Sequence, residues 1–287
     1  MTGAGSQKPE AGLDGFLLAA GLGTRMGPLS AVLPKPAWTL RERPLLQWGA
    51  ALLREAGCRA LACNAHLHPE KLREAAAGLE VFEEPALLGS AGGLVHARGR
   101  VAEVLLVWNA DAVAETAPFE ALCRAHLERR AALSWLLVPH PGGPWSKVWL
   151  DEEGRVLPAG RTGHGPYHFT GAACWSPQAL DLLPDGPSEQ RDLLPRLSLH
   201  LGLVAEPFPW HEVGSPDALI AAAAALAPAQ EGRVPGCYVH PAADPGPSPE
   251  TRFTRCVLGP GAAPPASIRD HDALWFLEDG RQVRLTL

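Results

Sequence analysis

What this 287-residue sequence lacks narrows what it can do. It has no basic excess: 25 Lys and Arg face 31 Asp and Glu, giving a formal net charge of -6. A nucleic-acid partner needs a basic face and is not expected, although a local cationic cleft for phosphates is compatible with that total. No C-x-x-C pair occurs among the six cysteines, and no histidine stands at zinc-finger spacing from them. Three of them lie in apolar runs, so they read as small buried thiols of a reduced protein rather than as metal ligands or redox groups. With no secretory signal read from the sequence, the expected location is the cytoplasm. The longest purely apolar run, Ala218 to Ala227, falls well short of the roughly 20 residues that cross a bilayer, so no membrane is expected. Also missing are a Ser-His-Asp or Cys-His constellation and the Gly-Lys-Ser/Thr ending of a Walker loop.

What is present is a regular alternation. Residues 1 to about 13 are Gly-rich and polar and read as a disordered lead-in. Gly15 to Ala20 is a short apolar run stopped by glycine, which predicts a buried strand. A long loop follows from Gly21 to Pro36, and Pro44 then opens a helix whose Leu45, Trp48 and Leu52 share one face. Further strands are expected at 59–64, 79–83, 104–108 and 132–138, and helices at 69–77, 92–99 and 118–129. This order, with near-continuous apolar strands, predicts an α/β fold with a mostly parallel sheet covered on both faces. Residues 145–157 alternate enough for a hairpin turning at Glu153-Gly154, and 167–175 read as a strand. Ser176-Pro177 and Ser215-Pro216 each read as an N-cap followed by proline at the first helical position. The composition shifts near residue 230. In the Pro-rich tail, apolar residues recur every five to six positions, and two readings stay open: one or two turns of a β-helix, or a strap across the main domain. The domains are set at 14–228 and 229–287.

The most informative stretch is Gly21-Leu-Gly-Thr-Arg25-Met-Gly-Pro28. Its glycines let the backbone approach a ligand, and their N–H groups can form an anion-binding nest. A dinucleotide fingerprint would need glycine at position 26 and an immediate helix, and neither is found. Taken alone, the Gly-x-Gly is equally a plain turn. The wider string, Leu18-Ala-Ala-Gly-Leu-Gly-Thr-Arg-Met26, Pro28 and Leu33-Pro-Lys-Pro36, resembles the signature of the sugar-phosphate nucleotidylyltransferase family. That resemblance implies a Rossmann-like three-layer sandwich with a mostly parallel mixed sheet. It also implies that Arg25 and Lys35 hold a triphosphate and neutralise charge at its α-phosphorus. Ala20, Gly21, Gly23 and Thr24 would contribute to nucleotide binding.

Three further segments match the family in order. Glu84-Pro-Ala-Leu-Leu-Gly-Ser-Ala-Gly-Gly93 resembles its base- and ribose-binding loop, which would turn Gly89 and Ser90 toward the nucleoside. Val104-Leu-Leu-Val-Trp-Asn-Ala-Asp111 resembles the strand ending in a metal-binding Asp, with Ala110 in place of glycine. Trp210-His-Glu-Val-Gly-Ser-Pro-Asp217 resembles the segment whose acid completes that site, with Glu212 where Asp is usual. By this resemblance Asp111 and Glu212 would hold Mg²⁺, for which carboxylate oxygens are suitable hard ligands. Tyr167-His-Phe-Thr-Gly-Ala-Ala173 resembles the strand lining the sugar pocket, making Thr170 and Gly171 candidates there. The family's usual Glu-Lys-Pro is absent, so Lys147 or Arg161 is expected to meet the sugar phosphate instead. The pairs His66/His68 and His164/His168 read as surface or hydrogen-bonding residues.

As a whole the chain looks closest to muramyl-type uridylyltransferases. The implied partners are a nucleoside triphosphate and a sugar 1-phosphate; homo-oligomerisation stays open. Two rivals remain: a non-catalytic relative that binds a nucleotide sugar, and a cytidylyltransferase for an amino-alcohol phosphate.

Overall fold

The computed structural model describes residues 13–143, 145–226, 237–246, 249 and 253–287. The lead-in expected before Leu13 and the boundary expected near 230 fall outside these residues. The central sheet has eight strands. Those that matter here are β1 (Leu13–Leu18), β2 (Leu61–Ala65), β3 (Glu80–Glu83) and β4 (Val104–Asn109). After a short β5 (Ala112–Ala114) come β6 (Leu133–Pro139), β7 (Val148–Leu150), β8 (His164–Trp175) and β9 (His200–Val204). The order is β9-β6-β8-β4-β1-β2-β3, with β7 on β8. Pairing along this path is parallel except at β8, which runs against both β4 and β6. The sheet is thus mixed and mostly parallel, as the alternation of the sequence predicted.

Period-two alternation sends the apolar runs to both faces. Leu17, Leu106 and Trp108 pack on one side with Leu46 and Leu53 of α1 (Leu45–Glu55) and Phe119 and Leu122 of α3 (Phe119–Glu128); α2 (Pro69–Ala75) adds Leu72. Phe16, Leu105 and Val107 face the other side, with Trp135 and Leu137. Leu45, Trp48 and Leu52 are all buried, as the helical spacing required.

One local expectation is corrected and one is narrowed. The stretch 21–36 is not an open loop: it winds into single helical turns at Thr24–Met26, Leu29–Val32 and Lys35–Ala37. Gly23, in the left-handed region at φ 62°, and Pro28 and Pro34 stand just before these turns, where fixed or unusual φ values start a turn without extending it. The hairpin expected over 145–157 is present but short, with the Leu157 amide donating to the Trp149 carbonyl at 2.8 Å and the Asp151 amide to the Arg155 carbonyl at 3.0 Å. Asp151 Oδ1 accepts from the Glu153 and Arg155 amides, and Leu150 bridges Val156, but β7 takes its ladder from β8.

A third core joins the glycine loop, the last helix α4 (Pro216–Leu226) and the tail. Met26, Leu29 and Trp38 pack there with Leu219, Tyr238, Val257 and Leu274. Tail segments pair in parallel: Tyr238 opposite Val257, Val257 opposite Leu274, and Phe253 opposite Asp270, steps of 17 to 19 residues. A final antiparallel hairpin, Ala273–Glu278 with Arg281–Thr286, closes the stack. The tail and the glycine-loop segment therefore share one apolar interior.

Candidate active site

The chain after β4 turns through Ala110 and Asp111 into β5, which pairs antiparallel with β10 (Trp210–Glu212), placing Ala112 opposite Glu212. The Val213 amide donates to the Asp111 carbonyl at 2.9 Å and extends that ladder. Two acids distant in sequence are thereby brought onto adjoining strands beyond the carboxyl end of a parallel strand, where open α/β sheets bind ligands. Each acid holds one cation from the glycine-loop segment. Lys35 Nζ donates to Asp111 Oδ2, and Arg25 Nη2 donates to Glu212 Oε1 at 2.8 Å.

The two pairs differ in setting. The Lys35 and Asp111 side chains are only 14% and 13% exposed, whereas that of Arg25 is 60% exposed. Solvent screens the second pair far more than the first. Lys35 is aimed by Pro34 and Pro36, both buried. Arg25 crosses Gly214, where a Cβ would stand 2.9 Å from the guanidinium. Any larger residue there would displace the arginine.

Asp111 also lines a cleft of about 470 Å³ with Ala20, Gly21, Asn64, Glu84 and Ser90, within the size range of small-molecule sites. Its walls are laced together by buried polar groups. Asn64 Oδ1 accepts the Ala19 and Ala20 amides at 2.6 and 3.2 Å, and its Nδ2 donates to Glu84 Oε1 at 2.7 Å. Glu84 Oε2 in turn accepts the Leu88 amide at 3.3 Å. Opposite, Ser90 Oγ donates to the Glu189 carboxylate and accepts the Gln190 amide at 3.1 Å. Gly89 has φ 76°, and a Cβ on it would stand 2.6 Å from the Ser188 carbonyl, so this close approach requires glycine.

Glu212 lines a second recess, of about 390 Å³. Its wall is aromatic: His168 stacks on Trp210 with ring centroids 5.6 Å apart and planes within 5°, and Trp145 meets His168 edge-on at 5.3 Å. Burial lowers the His168 pKa and favours the neutral ring, against the pull of Glu212.

The residues expected from the sequence distribute unevenly over this geometry. Lys35, Asp111, Ala20, Gly21, Gly89 and Ser90 line the first cleft, whereas Gly23, Thr24 and Arg25 are not among its lining residues. Those expected at the sugar phosphate do not gather there. Thr170 is buried, and its hydroxyl donates to the Leu136 carbonyl at 3.0 Å. Gly171 sits at the irregularity of β8, where a Cβ would stand 2.7 Å from Asn109 Nδ2. Lys147 and Arg161 line a third recess of about 340 Å³, together with Arg191. Sequence reasoning missed Asn64, Glu189 and Gly214. Asn64 had a signal, a lone polar residue ending an apolar strand at the ligand-binding edge; Gly214 stood unremarked inside a quoted motif.

All six cysteines are free and buried, and burial pushes the Cys63 thiol up to about 12. Among the described residues no helix is long and apolar enough to cross a membrane, and no group of three or more His, Cys, Asp or Glu is placed to hold a metal ion.

A mixed, mostly parallel sheet with a glycine loop at its edge and paired acids beyond β4 defines the nucleotidyltransferase type of α/β protein. The chain belongs to the family of the MobA-like NTP transferase domain, whose model matches residues 15–233. Among relatives, it is 27% identical over 186 residues to N-acetylmuramate alpha-1-phosphate uridylyltransferase of Neisseria meningitidis, covering 61% of this chain and 80% of that one. It is 25% identical over 224 residues to a probable mannose-1-phosphate guanylyltransferase of Oryza sativa, covering 71% of this chain. The match spans only 62% of the rice protein's length. Among solved structures, HddC of Yersinia pseudotuberculosis complexed with GMP-PN shares the fold with a TM-score of 0.63 at 18% identity, over 74% of this chain and 99% of that one. The inositol-1-phosphate CTP transferase of T. maritima gives 0.61 at 18% identity, over 73% and 92%.

Proposed function

We propose that this chain transfers a nucleoside monophosphate from a nucleoside triphosphate to a sugar 1-phosphate and releases pyrophosphate. One observation carries the reading: two acids on adjoining strands each line a ligand-sized recess, and each is paired with a cation of the glycine-loop segment. The first cleft suits the nucleotide, with Lys35 at its phosphate end. The recess at Glu212 is the one we assign to the acceptor.

The sugar phosphate is already an anion at neutral pH and needs no base to attack. Lys35 and Arg25 are then required chiefly for positioning and for neutralising charge at the reacting phosphate. Asp111 and Glu212 fit a magnesium ion in chemistry, since both offer hard carboxylate oxygens and adjoin the phosphate-binding cations. When bound there, Mg²⁺ would supply further neutralisation of phosphate charge. We assign catalysis to residues 14–228, with 229–287 as an extension. We place the reaction in the cytoplasm, in keeping with six free thiols.

The test is pyrophosphate release with Mg²⁺, each common nucleoside triphosphate and a panel of sugar 1-phosphates. Release that requires both substrates supports the transfer. A folded chain that binds a nucleotide sugar yet releases nothing refutes it and favours a binding role. Lys35→Ala and Asp111→Ala are expected to abolish turnover and keep the wild-type circular dichroism; near-wild-type turnover in either would overturn the site.

A further inference from the structure

We propose that Cys237 is a site of reversible oxidation by peroxide, and that Cys256 resolves it into a disulfide stapling two segments of the tail. The proposal is independent of the transfer reading, and it sets this pair apart from the expectation of thiols without a redox role. Tyr238 pairs in parallel with Val257, and Val239 with Leu258. One step back, the same register sets Cys237 beside Cys256, and the Tyr238 amide donates to the Cys256 carbonyl at 3.0 Å. Neighbouring strands lie about 4.8 Å apart, within the Cα separation of about 4.4–6.8 Å that a disulfide spans. Side chains alternate along a strand. Tyr238 and Val257 turn into the interior shared with Met26 and Trp38, whereas Cys237 and Cys256 turn together into a small core with Phe253 and Trp275. The two thiols therefore share both a face and a register.

Proximity alone does not single out this pair. Cys123 Sγ lies 3.5 Å from Cys174 Sγ, but those residues are 1% and 0% exposed inside the main core, and burial pushes the Cys174 thiol up. Cys237 keeps 8% exposure, and the Cys256 amide donates to its sulfur at 3.3 Å. The Cys256 thiol, with the Cys256 and Arg255 amides, brings the Cys237 thiol down to about 7 against the effect of burial. Near neutral pH such a thiol carries about tenfold more thiolate than an ordinary one at about 8.5. The thiolate attacks one oxygen of the peroxide, the O–O bond breaks, hydroxide leaves and takes a proton from solvent, and a sulfenic acid remains. Cys256, whose thiol donates to the Thr254 carbonyl at 3.3 Å, then attacks the oxidised sulfur. The S–S bond forms, the S–O bond breaks, and the thiol proton departs with the hydroxyl as water. Two electrons pass from the two sulfurs to one peroxide.

The experiment treats the full, reduced chain with a small molar excess of hydrogen peroxide at neutral pH. Remaining thiols are then alkylated under denaturing conditions, and the peptides are mapped without reduction by mass spectrometry. A cross-linked peptide joining Cys237 to Cys256 is expected, with the other four cysteines alkylated. The link should form at least about tenfold faster than any other cysteine is oxidised. Closing this 19-residue step should raise the Tm by about 5 °C, and dithiothreitol should reverse the shift. Cys256→Ser should leave Cys237 as a sulfenic acid trapped by dimedone, and Cys237→Ser should give neither trap nor link. A wild-type map with no link between Cys237 and Cys256 overturns the proposal, whether or not the variants fold. So does a map in which Cys123 and Cys174 close first, or in which Cys237 links two chains. An unchanged Tm in fully linked chain overturns the staple. Pyrophosphate release plays no part in these readouts, so the proposal and the transfer reading can each fail alone.

Discussion

Replacing Asn64 tests whether the cleft lined by Asp111 is held open by one buried amide. That side chain satisfies three groups: the Ala19 and Ala20 amides at the end of β1 and the Glu84 carboxylate at the start of the opposite loop. In Asn64→Ala the short contact to Ala19 and the 2.7 Å bond to Glu84 leave two buried groups unpaired, at about 1–3 kcal/mol each, and the longer Ala20 bond adds less. The expected loss is about 4 kcal/mol in urea unfolding followed by circular dichroism, with nucleotide binding weakened in parallel because both cleft walls lose their tie. A loss below about 1 kcal/mol would refute the network. Asn64→Asp has the same shape but sets a carboxylate oxygen against Glu84 Oε1. Two such acids retain the contact only by sharing a proton, which raises the folded-state pKa of the pair above its unfolded value. The shared proton stabilises the fold below the unfolded pKa, and that contribution is lost as pH rises through the folded one. The deficit of Asn64→Asp relative to wild type should therefore grow from pH 5 to pH 8. A flat or shrinking deficit would mean that the carboxylates do not face each other.

Two further perturbations probe other parts of the molecule. His126 is buried beside Ser134 Oγ at 3.0 Å, and burial lowers its pKa to about 4. Between the unfolded value near 6.5 and the folded one, the unfolded chain binds the extra proton, so stability falls as pH drops through that window, by up to about 3 kcal/mol. His126→Gln should flatten this part of the stability profile measured by urea unfolding at stepped pH; an unaltered slope would refute the assignment. Tyr238 joins the tail to the segment after the glycine loop, its hydroxyl 3.0 Å from Thr39 Oγ1 and its ring edge-on to Trp38. Tyr238→Phe should cost about 1 kcal/mol, and Tyr238→Ala about 3–5 kcal/mol, each within a single unfolding transition. Separate transitions for tail and main domain would contradict the shared core.

What the sequence made legible was local. Apolar runs of five or six residues fixed the strands, and Ser176 and Ser215 both cap as expected, accepting the Ala179 and Ala218 amides. The cation and acid positions stood in strings that could be read without coordinates. The tail was harder to read, because several of its strands are two residues long and find their partners 17 to 19 residues away, beyond any local periodicity. The relations among Asn64, Glu84 and Ala19 and between Gly214 and Arg25 likewise belong to no single segment. The acceptor side shows why a motif locates a strand better than a contact. The string Tyr167 to Ala173 does supply one residue, His168, to the recess that Glu212 lines, whereas Thr170 was its expected ligand-facing residue. Side chains two apart on a strand share a face, but β8 shifts register between Phe169 and Ala173, and Thr170 is spent on the Leu136 carbonyl. The side chain that reaches the recess is His168, two residues earlier. A histidine read as merely hydrogen-bonding is thus part of the aromatic wall, stacked on Trp210.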